Sequence, residues 1–200
     1  MLQEIIKYTK SIIWQILNWL NKYIAAPRMV MGYKNAHGDF MAKTRISNTT
    51  SIISPDNLYL ADNIFIGHYN FIEASNRIEI NEGCQITNYV SILSHSSHIS
   101  IRLYGKHYIG QKNHLGYIAG SVRIGAYSFI GPHSTIMPNT VIGKGSIVNA
   151  YSQVKGEFPD FAVIGGNPAT VLGDTRYLDK QYLADNPTLE GYYREWINES

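Results

Sequence analysis

The sequence is short of several things at once. Its 200 residues hold a single cysteine, Cys84, so no disulfide can close within the chain. Lysine and arginine number 17 against 15 acidic residues, a net charge of +2, and no basic cluster forms, which argues against nucleic acid as a partner. No apolar run is long enough to span a bilayer, and Gln15 and Asn18 interrupt the N-terminal stretch that would otherwise serve as the core of a secretory signal. Charged residues make up 16% of the chain and apolar residues 44%, ample for the core of one domain with terminal extensions.

What the sequence does have is a period. In VRIGAYSFIGPHSTIMPNTVIGKGSIVNAYSQV, residues 122–154, a branched aliphatic side chain returns at every sixth position, as Ile124, Ile130, Ile136, Ile142, Val148 and Val154. Four places after each of the first five stands a small hydroxyl residue: Ser128, Ser134, Thr140, Ser146 and Ser152. Ile, Leu and Val fill 47 of the 200 positions, so two phased columns of this length point to a repeat architecture rather than to chance. A helix turns about 100° per residue, and six residues bring a side chain far from where it began. Strands suit the period. Each hexad reads as one short strand plus a turn, with Gly125, Gly131 and Gly143 supplying permissive backbone at the corners.

One hexad cannot bury its own aliphatic residue, so the units must wind into a β-solenoid with both columns inside. Upstream, Leu60, Ile66 and Ile72 keep the same step, and Ile80, Ile86 and Ile92 resume it after a two-residue slip between Ile78 and Ile80, read as a wider corner. Cys84 falls four places after Ile80, in the hydroxyl column, and is expected to be a small core residue. Between Ile92 and Ile124 the period vanishes, and this excursion, residues 93–121, carries four of the seven histidines. A long departure from a regular scaffold is where function concentrates.

The hexads IGAYSF, IGPHST and IGKGSI, the excursion opened by histidine, and the tail VIGGNPATVL resemble the hexapeptide-repeat acyltransferases, within them the branch that O-acetylates sugars and polysaccharides. The resemblance covers roughly residues 44–172. It implies a left-handed parallel β-helix, a homotrimer, and acetyl-CoA as the acyl donor. The expected function is therefore acetyl transfer to a hydroxyl of a sugar acceptor, in surface polysaccharide biosynthesis and in the cytoplasm. Two alternatives stand beside it: N-acetyl transfer to a nucleotide-linked amino sugar or a small amino acid, and a structural solenoid with no catalysis. The same solenoid serves zinc-dependent carbonic anhydrases, which need two histidines five apart. His37, His68, His95, His98, His107, His114 and His133 include no such pair, and no metal site is expected.

An un-ionised sugar hydroxyl is a poor nucleophile near neutral pH, so the transfer calls for a base, and histidine is the side chain best matched to that task. The family's spacing of five or six residues after the last inward aliphatic selects His98, six after Ile92, over His95, three after it. His107 and His114 read as loop residues, and His68 and His133 as outer-surface residues of coils. The resemblance also implies the CoA contacts. Phe129 stands where many members carry a Trp. Gly131, Ala150 and Gly166 would let the pantetheine arm approach the backbone, Lys155 would meet phosphate, and Gly166, Asn167 and Pro168 resemble the exit turn near the adenine.

The ends differ in kind. Residues 1–27 read as an amphipathic helix stopped by Pro27, with Ile5, Ile6, Ile12, Ile13, Ile16, Leu17 and Leu20 on one stripe and Glu4, Lys7, Lys10, Gln15, Asn18 and Asn21 away from it. Its expected role is to cover the open end of the solenoid, which would occupy residues 28–172; peripheral membrane contact through Trp14, Trp19 and the lysines is the alternative. Residues 173–200 read as one or two short helices broken at Pro187, with Asp174 as N-cap and aromatic residues packed on the last coil or a neighbouring subunit.

Overall fold

The computed structural model describes residues 2–198, and the side chains of residues 8–24 and 26–198. The chain winds into a parallel β-solenoid of three faces. The first face stacks Phe40–Ser47, Phe65–Ile66, Gln85–Ile86, Phe129–Ile130, Ile147–Val148 and Ala162–Gly166, one strand per coil over six coils. The second runs from Ser51–Ile53 through Phe71–Glu73, Ser91–Leu93 and Thr135–Ile136 to Gln153–Val154. The third runs from Leu58–Leu60 through Ile78–Ile80, Val122–Ile124 and Thr140–Ile142 to Glu157–Phe158. Ladder register places equivalent residues of successive coils side by side: Ile66 with Ile86, Ile86 with Ile130, and Ile130 with Val148.

Both columns face inward. Ile124, Ile130, Ile136, Val148 and Val154 are fully buried and Ile142 almost so. Complete burial of such a side chain contributes about 1.5–3 kcal/mol each. The hydroxyls are buried too, and they tie one coil to the next. Ser128 Oγ donates to Gly143 O at 3.0 Å and accepts from Ser146 N at 3.2 Å. Ser134 Oγ repeats the pattern with Asn149 O and Ser152 N. Cys84 joins the column, its Sγ 3.0 Å from Gly125 O, and burial pushes its thiol up to about 12.

Two expectations about the coil need correction. Ile78 and Ile80 do not flank a corner. They belong to one strand and both point inward, as do Leu58 with Leu60 and Val122 with Ile124, so the two extra residues lengthen the third face. Nor do Gly125, Gly131 and Gly143 turn the corners. Left-handed backbone falls three places after the aliphatic, at Gly83 and Gly145 but also on residues with side chains, at Tyr69, Tyr89, Tyr127, His133, Asn139 and Tyr151, with φ between 57° and 62°. The glycines instead permit coils to touch: a Cβ on Gly125 would lie 2.4 Å from Lys144 N, and one on Gly131 would lie 2.6 Å from Ala150 N.

The N-terminal helix, α1 (Leu2–Leu20), continues as a π-helical turn over Asn21–Ala25. It is not the lid expected of it. The first face is closed at that end by the strand Met29–Lys34, antiparallel to Phe40–Ser47, while the α1 stripe from Ile12 to Leu17 is exposed. Ile5 and Ile6 lie outside the residues whose side chains are described, as do Glu4 and Lys7 on the polar side. The excursion contains the short helix α2 (Ser100–Tyr104). At the far end, Ala162–Gly166 pairs antiparallel with Ala169–Asp174, and the tail follows as α3 (Thr175–Asp185) and α4 (Glu190–Ile197), separated by a 3-10 turn that begins at Pro187. Asp174 Oδ1 accepts from Arg176 N at 2.9 Å and caps α3. Trp196 packs on Tyr127 and Phe161 of the coils, whereas Tyr177, Tyr182 and Tyr192 are exposed.

Candidate functional site

The excursion leaves the second face after Ser91–Leu93 and rejoins the third at Val122–Ile124. Its two limbs pair antiparallel at the neck, His95 opposite Ala119 and Ser96 opposite Ile118. This neck fixes His95 against the coil below. Glu73, in register with Leu93, ends the second-face strand of that coil and is only 6% exposed.

A buried carboxylate needs partners, and Glu73 has several. Its Oε1 accepts from Ser75 N at 2.9 Å and from the Ser75 hydroxyl; its Oε2 lies 3.0 Å from the Ser94 hydroxyl that donates to it and 2.6 Å from His95 Nδ1. Because Oε2 is an acceptor, the contact places a hydrogen on Nδ1, and in the neutral ring Nε2 is then the nitrogen that carries the lone pair. Tyr117 stacks on the same imidazole, centroids 5.4 Å apart and planes 14° from parallel. Burial and the nearby Glu73 carboxylate raise the Tyr117 phenol above its ordinary value, so it is a hydrogen-bond donor at neutral pH.

His98 has a different setting. It is exposed, two residues past the neck, and its Nδ1 pairs with the Ser96 hydroxyl at 2.8 Å. His114 is held inside the excursion, Nε2 2.9 Å from Tyr108 O and its ring against Tyr108. His107 is exposed on the excursion. Among the described residues no group of three His, Cys, Asp or Glu side chains is placed to hold a metal ion.

The residues expected to contact CoA divide between two edges. Gly131 and Ala150 follow first-face strands of successive coils, Gly166 ends the next, and the three share the corner between the first and second faces, with Asn167 and Pro168 in the turn just beyond. Phe129 points outward from the first face beside them, 39% exposed. The same corner carries a column of rings not foreseen from the sequence: Tyr69, Tyr89, His133 and Tyr151 stack at 5.2, 4.9 and 4.8 Å. Lys155 lies on the other edge, between the second and third faces, exposed and two coils beyond His95.

Sequence reasoning passed over Glu73 and Tyr117. A partial signal for Glu73 was present: coils of twenty residues relate Leu60 to Ile80 and Ile66 to Ile86, and the same step carries Glu73 to Leu93, two places before His95. Tyr117 had none, because its place follows from how the excursion folds back.

Comparison with known proteins fits this geometry. Residues 108–156 match the family model described as bacterial transferase hexapeptide (six repeats). No curated protein matches the sequence. Among solved structures, the chain is similar to AntD, an N-acyltransferase from Bacillus cereus in complex with dTDP and 3-hydroxybutyryl-CoA, with 20% identity, a TM-score of 0.56, and coverage of 78% of this chain and 89% of that one. It is also similar to a maltose O-acetyltransferase from Clostridium difficile 630, with 23% identity, a TM-score of 0.55, and coverage of 64% of each chain. The chain thus carries the bacterial transferase hexapeptide repeat, wound into the parallel β-solenoid that these solved proteins share.

Proposed function

We propose that the chain is an acetyl-CoA-dependent O-acetyltransferase of surface polysaccharide biosynthesis, acting on a sugar hydroxyl, with His95 as its general base. The observation that carries the assignment is the Glu73–His95 pair at the neck of the excursion, 2.6 Å apart on a hexapeptide solenoid. A carboxylate on Nδ1 fixes the tautomer, leaves Nε2 free to accept a proton, and stabilises the imidazolium that forms. His98, favoured by spacing alone, has a serine hydroxyl in place of that carboxylate.

In the reaction, His95 Nε2 takes the proton of the acceptor hydroxyl as its oxygen attacks the thioester carbonyl. The tetrahedral intermediate then collapses, the carbon–sulfur bond breaks, and the CoA sulfur leaves with the proton returned by the imidazolium. The ester and free CoA are the products.

Gly131, Ala150 and Gly166 form a corner where a thin pantetheine arm can approach the backbone, with Asn167 and Pro168 beyond it and Phe129 alongside. Lys155, on the other edge, would meet phosphate of CoA held at the glycine corner of an adjacent copy. A whole face separates that glycine corner from His95 of the same chain, so a thioester lying there meets the His95 of an adjacent copy. This supports a homotrimer with sites between subunits.

The test is thiol release from acetyl-CoA against a panel of neutral sugars, amino sugars and nucleotide-linked amino sugars. Turnover with a hydroxyl acceptor supports the proposal. Turnover with amines alone replaces it with N-acetyl transfer, and absence both of turnover and of thermal protection by CoA replaces it with a structural solenoid.

A further inference from the structure

We infer that α1 is an interfacial anchor that lies on an anionic lipid surface, its apolar face immersed among the acyl chains and its lysines at the level of the phosphates. In angular order around the helix, Trp19, Ile12, Ile16, Leu20, Ile13 and Leu17 cover an arc of about 160° at 100° per residue, with the short side chain of Thr9, one turn earlier, inside it. Five of the six are 41% to 60% exposed, an unusual state for a contiguous apolar face in a folded chain. At the open end of the solenoid, which this helix was expected to cover, the edge of the first face is already occupied by Met29–Lys34.

Three observations select lipid as the occupant. From Tyr8 to Arg28 there is no acidic residue, while Lys10, Lys22 and Arg28 supply positive charge, which complements anionic headgroups. Trp19 bounds the apolar arc, Trp14 and Tyr8 lie off it toward the polar side, and Tyr23 follows in the next turn; such rings, apolar in body and polar at one edge, suit the boundary between water and hydrocarbon. The arc is also wider than the two-position seam through which two helices of a coiled coil would meet. Gln15, Asn18 and Asn21 stand on the opposite side, and no helix among the described residues is long and apolar enough to cross a membrane, so the helix lies along the surface instead of spanning it.

The junction with the solenoid is braced. Arg28 Nη1 donates to Ile24 O at 2.6 Å and to Tyr23 O at 3.3 Å, closing the last carbonyls of the helical segment, while Arg28 N donates to Asn48 Oδ1 at 2.8 Å in the first coil. An anchored helix therefore holds the solenoid by its first coil. His95 follows the third strand of the second face counted from that end, two rungs of about 4.8 Å away from the first.

The experiment is co-sedimentation of the full chain with vesicles of phosphatidylcholine alone and of phosphatidylcholine with one quarter phosphatidylglycerol, at low and physiological salt. Binding at least tenfold tighter to the anionic vesicles, weakened by salt and accompanied by a blue shift of tryptophan emission, supports the inference. Ile13→Asp and Leu17→Asp, at positions already exposed, lower that binding at least tenfold with the melting temperature unchanged, and Lys10→Glu with Lys22→Glu lowers it on anionic vesicles. Absence of binding to anionic vesicles, or equal binding by the aspartate variants, overturns it. So does a loss of oligomer size in the aspartate variants without vesicle binding by the parent, which would assign the face to a second copy of the chain.

Discussion

Glu73 Oε2 and His95 Nδ1 meet at 2.6 Å from positions 22 residues apart, joined because one coil of the solenoid lies directly over the next. The pairing depends on the buried setting of the carboxylate, whose other hydrogen bonds come from Ser75 and Ser94.

Removal of the imidazole tests the assignment directly. His95→Ala is expected to lower kcat by about 10²–10⁴, the usual contribution of a general base, with CoA affinity nearly unchanged. His98→Ala, at an exposed position, retains most of the activity. Single-turnover rates and CoA titration of both variants check the order; the reverse ranking moves the base to His98.

Glu73→Gln keeps the shape of the side chain and removes its charge. An amide can present its nitrogen to Nδ1, which favours the wrong tautomer, and comparable replacement in a Ser-His-Asp triad costs about 10⁴ in kcat. A fall of that sense, with KM for CoA little changed, is the expected result of steady-state kinetics.

Close stacking at the corners yields a contrast in stability. Gly125→Ala places a Cβ against Lys144 N at 2.4 Å and is expected to destabilise by about 1–3 kcal/mol. Asn63→Gly, at an exposed residue with φ of 59°, stays within about 0.5 kcal/mol of the parent. Denaturant midpoints of the two variants measure the difference.

Cys84 supplies a dependence on pH. Its thiol is raised to about 12 by burial, above the ordinary 9.0, so the folded state holds the proton more tightly than the unfolded one. That contribution to stability is full below pH 9 and declines as pH rises toward 12. Thiol reagents at pH 8 are expected to modify Cys84 only after unfolding. Cys84→Ser, which places a hydroxyl in a column of hydroxyls, flattens the high-pH decline while costing about 1 kcal/mol or less.

The repeat was legible because burial leaves no freedom at the inward positions: strands of two or three residues show so few side chains to the core that an aliphatic must return at each, as Ile124 to Val154 do. The corners were less legible, since a permissive turn and a close contact both favour glycine; only the positive φ of Tyr69, Tyr89 and His133 separates the two roles. The spacing from Ile92 brought His95 and His98 forward together. Choosing between them needed the carboxylate of the coil below, a contact across the stack that no local pattern records. The helix α1 was read from its stripe, but the exposure of that stripe from Ile12 to Leu17 is a fact of tertiary structure.

The coils shorten along the chain. Ile66 to Ile86 spans twenty residues, Ile130 to Val148 eighteen, and Val148 to Ile164 sixteen, all measured between first-face partners. The molecule is therefore a wedge, broad where α1 departs and narrow at Ala162–Gly166. Two copies meeting end to end would offer each other rungs of unequal perimeter, and on the first face each end already carries an antiparallel strand running against the stack. Parallel rungs are a template for endless addition when they match. Taper and reversed end strands deprive this solenoid of that match, so growth into a fibre is blocked by shape.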